Sequence, residues 1–126
     1  MYYTHFIFNT YQNKHSLLDL EFKEFLAASF QDIAKKNNLN ILACNILADH
    51  VHLLIEHPFM EYGKIMKYIK GASARSFFQK LPSNRLVDRK LWGRSYHYRK
   101  IEPVDIDHIK DYIENQTKAG YDKRYV

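Results

Sequence analysis

The chain has 126 residues and a mass of 15.1 kDa. That is enough for one hydrophobic core and too little for two ordinary domains, so residues 1–126 read as a single domain. A hydrophobic fraction of 46%, with 10 Tyr, 8 Phe and 1 Trp, argues against a disordered chain, and the lone Cys44 excludes an intramolecular disulfide or a cysteine metal cluster.

A formal net charge of +5 and a pI of about 9.2 favour acidic partners, nucleic acid first among them. An aromatic content of 15% adds rings able to stack on unpaired bases, although most of them must serve the core. No apolar run reaches the length of a membrane span, and the N-terminus lacks a charged-then-apolar signal pattern. A cytoplasmic protein with no membrane partner is expected.

In chain order, Tyr2 to Tyr11 is rich in aromatic and β-branched residues and predicts a first strand, broken by Asn13, Lys14 and His15. Ser16 with Asp19 three residues on has the form of a helix start. Phe22, Phe25, Leu26, Phe30, Ile33 and Ala34 then recur at helical spacing up to Asn37-Asn38. Leu39 to Leu47 predicts a second strand, in which Cys44 is a buried thiol, and Ala48-Asp49 is a tight break before a third strand over His50 to His57. Strands this close in sequence form an antiparallel hairpin.

Pro58 ends the third strand, and Tyr62, Ile65, Met66 and Ile69 mark the apolar face of a second helix running to about Lys80. Lys64, Lys67, Lys70 and Arg75 make its other side basic. Leu81 to Leu91 reads as a polar, basic loop and Trp92 to Ile101 as a fourth strand. Pro103 suits a helix start, and Ile106, Ile109 and Ile113 trace the stripe of a last helix ending near Gly120. The order is βαββαβ with one helix added. It predicts an α+β, ferredoxin-like fold: an antiparallel sheet with helices on one face, plus a C-terminal helix.

Chemistry concentrates in Asp49-His50-Val51-His52-Leu53-Leu54. In a strand, His50 and His52 project the same way and are close enough to share one metal ion, although such a pair taken alone is more often structural. On the last helix, Tyr112 and Gln116 are four residues apart, roughly 40° around from each other, at the edge of the isoleucine stripe. His108 lies on the same side. His5, His15, His57 and His97 receive no role, since strand and loop histidines are usually structural. Tyr121 and Tyr125 lack a glutamine four residues on.

These residues together resemble a known family. The His50-Val51-His52 stretch looks like the His-hydrophobe-His motif of the HUH single-tyrosine transposases, which move minimal bacterial insertion sequences as single-stranded DNA. Tyr112-Ile113-Glu114-Asn115-Gln116 is similar to that family's nucleophile helix, in which a tyrosine precedes a metal-binding glutamine by four residues. Tyr68 to Gly71 through Ser73 to Arg75, and Leu91 to Tyr96, fit in the same order. Ala48 departs from the proline many relatives carry, which affects only the turn.

The resemblance implies a divalent cation, Mg2+ or Mn2+, held by His50, His52 and Gln116. Tyr112 would be the nucleophile, forming a 5′-phosphotyrosine. The implied partners are single-stranded DNA with hairpin structure and a second copy of the chain in a homodimer, with the tyrosine helix docked on its own histidine pair or on its partner's. The basic residues Lys64, Lys67, Lys70, Arg75 and Arg94, with Tyr96 as a stacking group, are the expected DNA contacts. Two neighbouring functions are a REP-associated tyrosine transposase acting on chromosomal hairpins and a non-catalytic relative that only binds them.

Overall fold

The structure is a computed structural model and describes residues 1–59, 61–81 and 89–116. Four strands form one sheet: β1 (Tyr2–Thr10), β2 (Asn40–Ile46), β3 (His50–His57) and β4 (Trp92–Lys100), in the spatial order β2-β3-β1-β4 with every pairing antiparallel. That is the predicted ferredoxin-like α+β arrangement. β3 is central and buried along almost its whole length. It ends at Pro58, which has no N–H to give the ladder.

Alternation along the two central strands gives the sheet two unlike faces. Phe6 and Phe8 of β1 join Val51, Leu53 and Ile55 of β3 on one face, packed beneath Phe22, Leu26, Phe30 and Phe77 from the helices. Tyr3, His5, Ile7 and Asn9 of β1 point the other way, with His50, His52 and Leu54 of β3.

Helix α1 (Leu20–Lys36) begins three residues later than a cap at Ser16 suggests. Asp19 is its N-cap and accepts a hydrogen bond from the Glu21 N–H at 2.7 Å, while Leu17 is fully buried and its N–H donates to Ala48 O at 3.0 Å. Residues 16–18 therefore belong to the loop.

The second predicted helix is α2 (Tyr62–Met66) and α3 (Ala72–Lys80), joined by a π-helical turn over Lys67–Gly71. Its buried positions explain the turn. Ile65, Ile69, Ser73 and Phe77 recur every four residues, and in a regular helix each such step drifts about 40° around the axis. A wider turn cancels the drift and keeps all four on the sheet. The Trp92 indole N–H then donates to the buried Ser73 Oγ at 3.0 Å, pinning the start of β4 to α3.

A 3-10 turn over Pro103–Asp105 leads into α4 (Ile106–Glu114), which lies against β2 and β3 on the sheet face away from α1 and α3. Ile109 and Ile113 are buried there on Ala43 and Leu54. The predicted end near Gly120, the tyrosines 121 and 125 and most of the 81–91 loop lie outside the described residues. Among the described residues no helix is long and apolar enough to cross a membrane. Cys44 is half-buried at the edge of the main core, and burial pushes its thiol up to about 11.

Candidate active site

Three elements converge on the α4 face. β3 presents His50 and His52 with ring centroids 5.1 Å apart. β1 adds His5, whose ring stacks on His52 at 5.2 Å, and α4 brings the Tyr112 ring to 6.2 Å from both His5 and His52. Tyr112 is half-buried at the edge of the isoleucine stripe, as its helical position predicts. Within this chain the tyrosine helix docks on its own histidine pair.

The histidines are held by their Nδ1 atoms. His50 Nδ1–H donates to Asp49 Oδ1 at 2.7 Å, and His52 Nδ1 shares a hydrogen bond with His5 Nε2 at 3.0 Å. A carboxylate only accepts, so the neutral His50 ring carries its proton on Nδ1 and its lone pair on Nε2. The Nε2 atoms of His50 and His52 are both buried and have no hydrogen-bond partner among the described residues.

Burial lowers the His52 pKa to about 3, helped by the neighbouring His5 and His50, and that of His5 to about 4, helped by the charge of Arg99. Both rings are neutral at physiological pH. Neutral imidazole is the form that binds metal. Among the described residues no three His, Cys, Asp or Glu side chains gather as a metal cluster, so a cation here needs a donor of another kind besides the histidines.

Gln116 follows Tyr112 by one turn and is half-buried. Its N–H donates to Ile113 O at 3.2 Å. His108 is exposed beside Arg99, Glu102 and Asp105.

The other sequence-predicted residues are not gathered here. Lys64, Lys67 and Arg75 are exposed on the helices of the opposite sheet face, and Tyr96 packs toward Phe6 on that side. Lys70 is half-buried; it donates to Ser95 O at 3.1 Å, and burial lowers its pKa. Arg94 is exposed beside a hollow of about 220 Å³ whose lining includes Asn9, Asn13, Ser95 and His97. Asn9 pairs with His50 across the strands, so this hollow neighbours the histidines.

Two residues of the site escaped sequence reasoning. As a strand histidine His5 has no role in the sequence reading, yet it alternates onto the face of His50 and His52. Asp49 opens the histidine stretch with no role of its own there, yet its carboxylate orients His50.

A four-stranded ferredoxin-like sheet carrying a buried histidine pair beneath a helix-borne tyrosine defines the class of this protein. The model of the family described as Transposase IS200 like matches residues 1–116, and the chain belongs to that family. It is 33% identical over 106 residues to the ISDra2 transposase TnpA of Deinococcus radiodurans, a match spanning 82% of this chain and 76% of the relative. It is 26% identical over 101 residues to the transposase for insertion sequence element IS200 of Salmonella typhimurium, spanning 78% of this chain and 66% of the relative.

Among solved structures, it superposes on a Deinococcus radiodurans protein described as a transposase with a TM-score of 0.71 and 32% identity, covering 93% of this chain and 92% of the other. A REP-associated tyrosine transposase bound to a REP hairpin has the same fold, with a TM-score of 0.67 and 19% identity over 89% of this chain and 64% of its own.

Proposed function

We propose that this transposase is metal-dependent and cuts and rejoins single-stranded DNA through a phosphotyrosine on Tyr112. The observation that carries the reading is the common approach of Tyr112, His52 and His5, with ring centroids 6.2 Å or less apart, on one sheet face. The Tyr112 oxygen attacks a backbone phosphorus in line. A new P–O bond forms to the phenol, the bond to the 3′ oxygen breaks, and the phenolic proton leaves to solvent as the 3′ oxygen is protonated. One phosphate ester replaces another of similar energy, so the strand can be rejoined elsewhere without ATP.

The donor set fits a divalent cation. With their Nδ1 atoms anchored, His50 and His52 would hold the cation through Nε2, and the Gln116 amide oxygen would be the third protein ligand. Mg2+ or Mn2+ suits that mixture, and when bound it polarises the phosphate and stabilises the departing oxygen. Asp49 and His5 hold the ligand rings in place.

The substrate class is single-stranded DNA with hairpin structure, by likeness to the hairpin-bound REP-associated relative and by the chain's basic charge. Arg94 stands beside the hollow that neighbours the histidines, while Lys64, Lys67, Lys70, Arg75 and Tyr96 grip DNA on the helical side. The working form is a homodimer, by the same family resemblance.

Labelled single-stranded hairpin DNA incubated with the protein and Mn2+, then run on a denaturing gel, tests this reading. The wild type is expected to give a protein-linked band that disappears in Tyr112→Phe and in His50→Ala. A band that survives Tyr112→Phe removes Tyr112 as nucleophile, and one that survives His50→Ala removes the metal site.

A further inference from the structure

Apolar contacts hold α4 to the sheet, and apolar contacts have no direction. Ile109 and Ile113 on Ala43 and Leu54 would tolerate a small rotation or slide of a nine-residue helix. A shift of that kind moves Tyr112 and Gln116 relative to the histidines, so something else must set the helix in place.

One side chain on β2 meets that need. Asn45 lies directly across the strand pairing from His52. Its Nδ2 donates to Ile113 O at 2.9 Å and to Gln116 O at 3.1 Å. Both partners are backbone carbonyls, which only accept, so the amide must present its NH2 group and not its oxygen. One side chain from the neighbouring sheet thus bonds a carbonyl in the last turn of α4, which also accepts the Gln116 N–H, and a second carbonyl two residues past the helix end. Ile113 follows Tyr112 directly, and Gln116 is the last residue of the YxxxQ motif. The two hydrogen bonds therefore hold the backbone directly after Tyr112 and at Gln116 itself.

We propose that Asn45 is the positioning residue for the tyrosine helix: its two hydrogen bonds, one to the last turn of α4 and one to Gln116 just beyond it, seat Tyr112 and Gln116 over the histidine pair of the same chain. This rests on the tyrosine reaction proposed above. Asn45 touches neither DNA nor metal in this role. It acts through the helix, and a misplacement near 1 Å at a reacting group is enough to cost about 100-fold in rate.

Two variants separate shape from donation. Asn45→Ala removes the side chain, whereas Asn45→Asp keeps its shape, loses both donors and sets a negative charge against two carbonyl oxygens. Amide hydrogen exchange on the full-length protein reads the seating directly. Both variants are expected to lose about 10-fold or more of the protection in α4, with β1 and β3 unchanged. Single-turnover adduct formation on the labelled hairpin oligonucleotide with Mn2+ reads the consequence: a 10- to 100-fold slower rate at an unchanged DNA Kd, with Asn45→Asp the slower.

Unchanged α4 exchange in both variants overturns the proposal, as does loosened exchange with a wild-type rate. A wild type that forms no adduct at all overturns the tyrosine reaction and the catalytic half of this proposal with it; exchange still decides whether Asn45 seats the helix.

Discussion

Lowering the pH from 6 to 5 should cost the metal-free protein about 2.4 kcal/mol of folding stability, and two rings account for it. His5 and His52 are completely or almost completely buried, stacked on each other and joined by one hydrogen bond. Their folded pKa values are about 4 and about 3, against 6.5 in the unfolded chain. A depressed folded value means that the unfolded state binds protons first. The stability these neutral rings contribute is complete above pH 6.5 and is lost as pH falls toward the folded values.

Between pH 6 and 5 each unfolded ring goes from mostly to almost fully protonated while each folded ring stays neutral. Each contributes about 1.2 kcal/mol over that unit. The slope depends on the number of rings and hardly on how far below pH 5 the folded values lie. Urea unfolding at pH 6.0, 5.5 and 5.0 with a chelator present, followed by Trp92 fluorescence, measures it as a falling midpoint at constant m-value. His5→Gln, whose amide can still reach His52 Nδ1, should halve the slope to about 1.2 kcal/mol per pH unit. A total loss below about 1 kcal/mol, or an equal slope in His5→Gln, would refute the reasoning.

Two further perturbations probe the parts that hold the site. Asp49→Asn replaces the carboxylate on His50 Nδ1 with a neutral group of the same shape, and calorimetric titration should find Mn2+ bound roughly 10-fold more weakly; a Kd within about twofold of wild type would remove Asp49 as an orienting group. Ile113→Ala empties a fully buried position beneath α4 and should lower unfolding stability by about 2–5 kcal/mol in denaturant titration, whereas a loss under about 1 kcal/mol would mean that Ile113 does not anchor the helix.

The parts of the fold legible in the sequence are those that local pattern decides. The bounds His50–His57 follow from an apolar run closed by a proline, and the βαββαβ order follows from where helical periodicity replaces it. The N-cap at Asp19 is hidden because Ser16 offers an equally good local signal, and the choice falls to a tertiary contact, the burial of Leu17 against the β2–β3 turn. The π-turn at Lys67–Gly71 has a sequence trace in the four-residue recurrence of Ile65, Ile69, Ser73 and Phe77, but that trace reads as ordinary amphipathicity until the burial is seen. His50, His52, Tyr112 and Gln116 form recognisable motifs. His5 and Asn45 reach the site only through strand pairing, His5 from 47 residues away, and no spacing rule along the chain reports a register.

That register is itself set by residues on the other side of the sheet. A slip of one residue in β1 would turn His5 into the main core and expose Phe6 to α4, because successive side chains alternate between faces. Phe6 and Phe8 are both fully buried against the helical layer, so such a slip would strip two aromatic rings from the best-packed part of the molecule. The placement of the third histidine beside His52 is therefore specified by phenylalanines on the opposite face of the sheet. The cover over the histidines is lighter, a few aliphatic contacts and the Asn45 amide. A cover fixed by a few directional bonds over the sheet lets the tyrosine helix be exact in position without being deeply buried, and the reaction proposed for Tyr112 requires both.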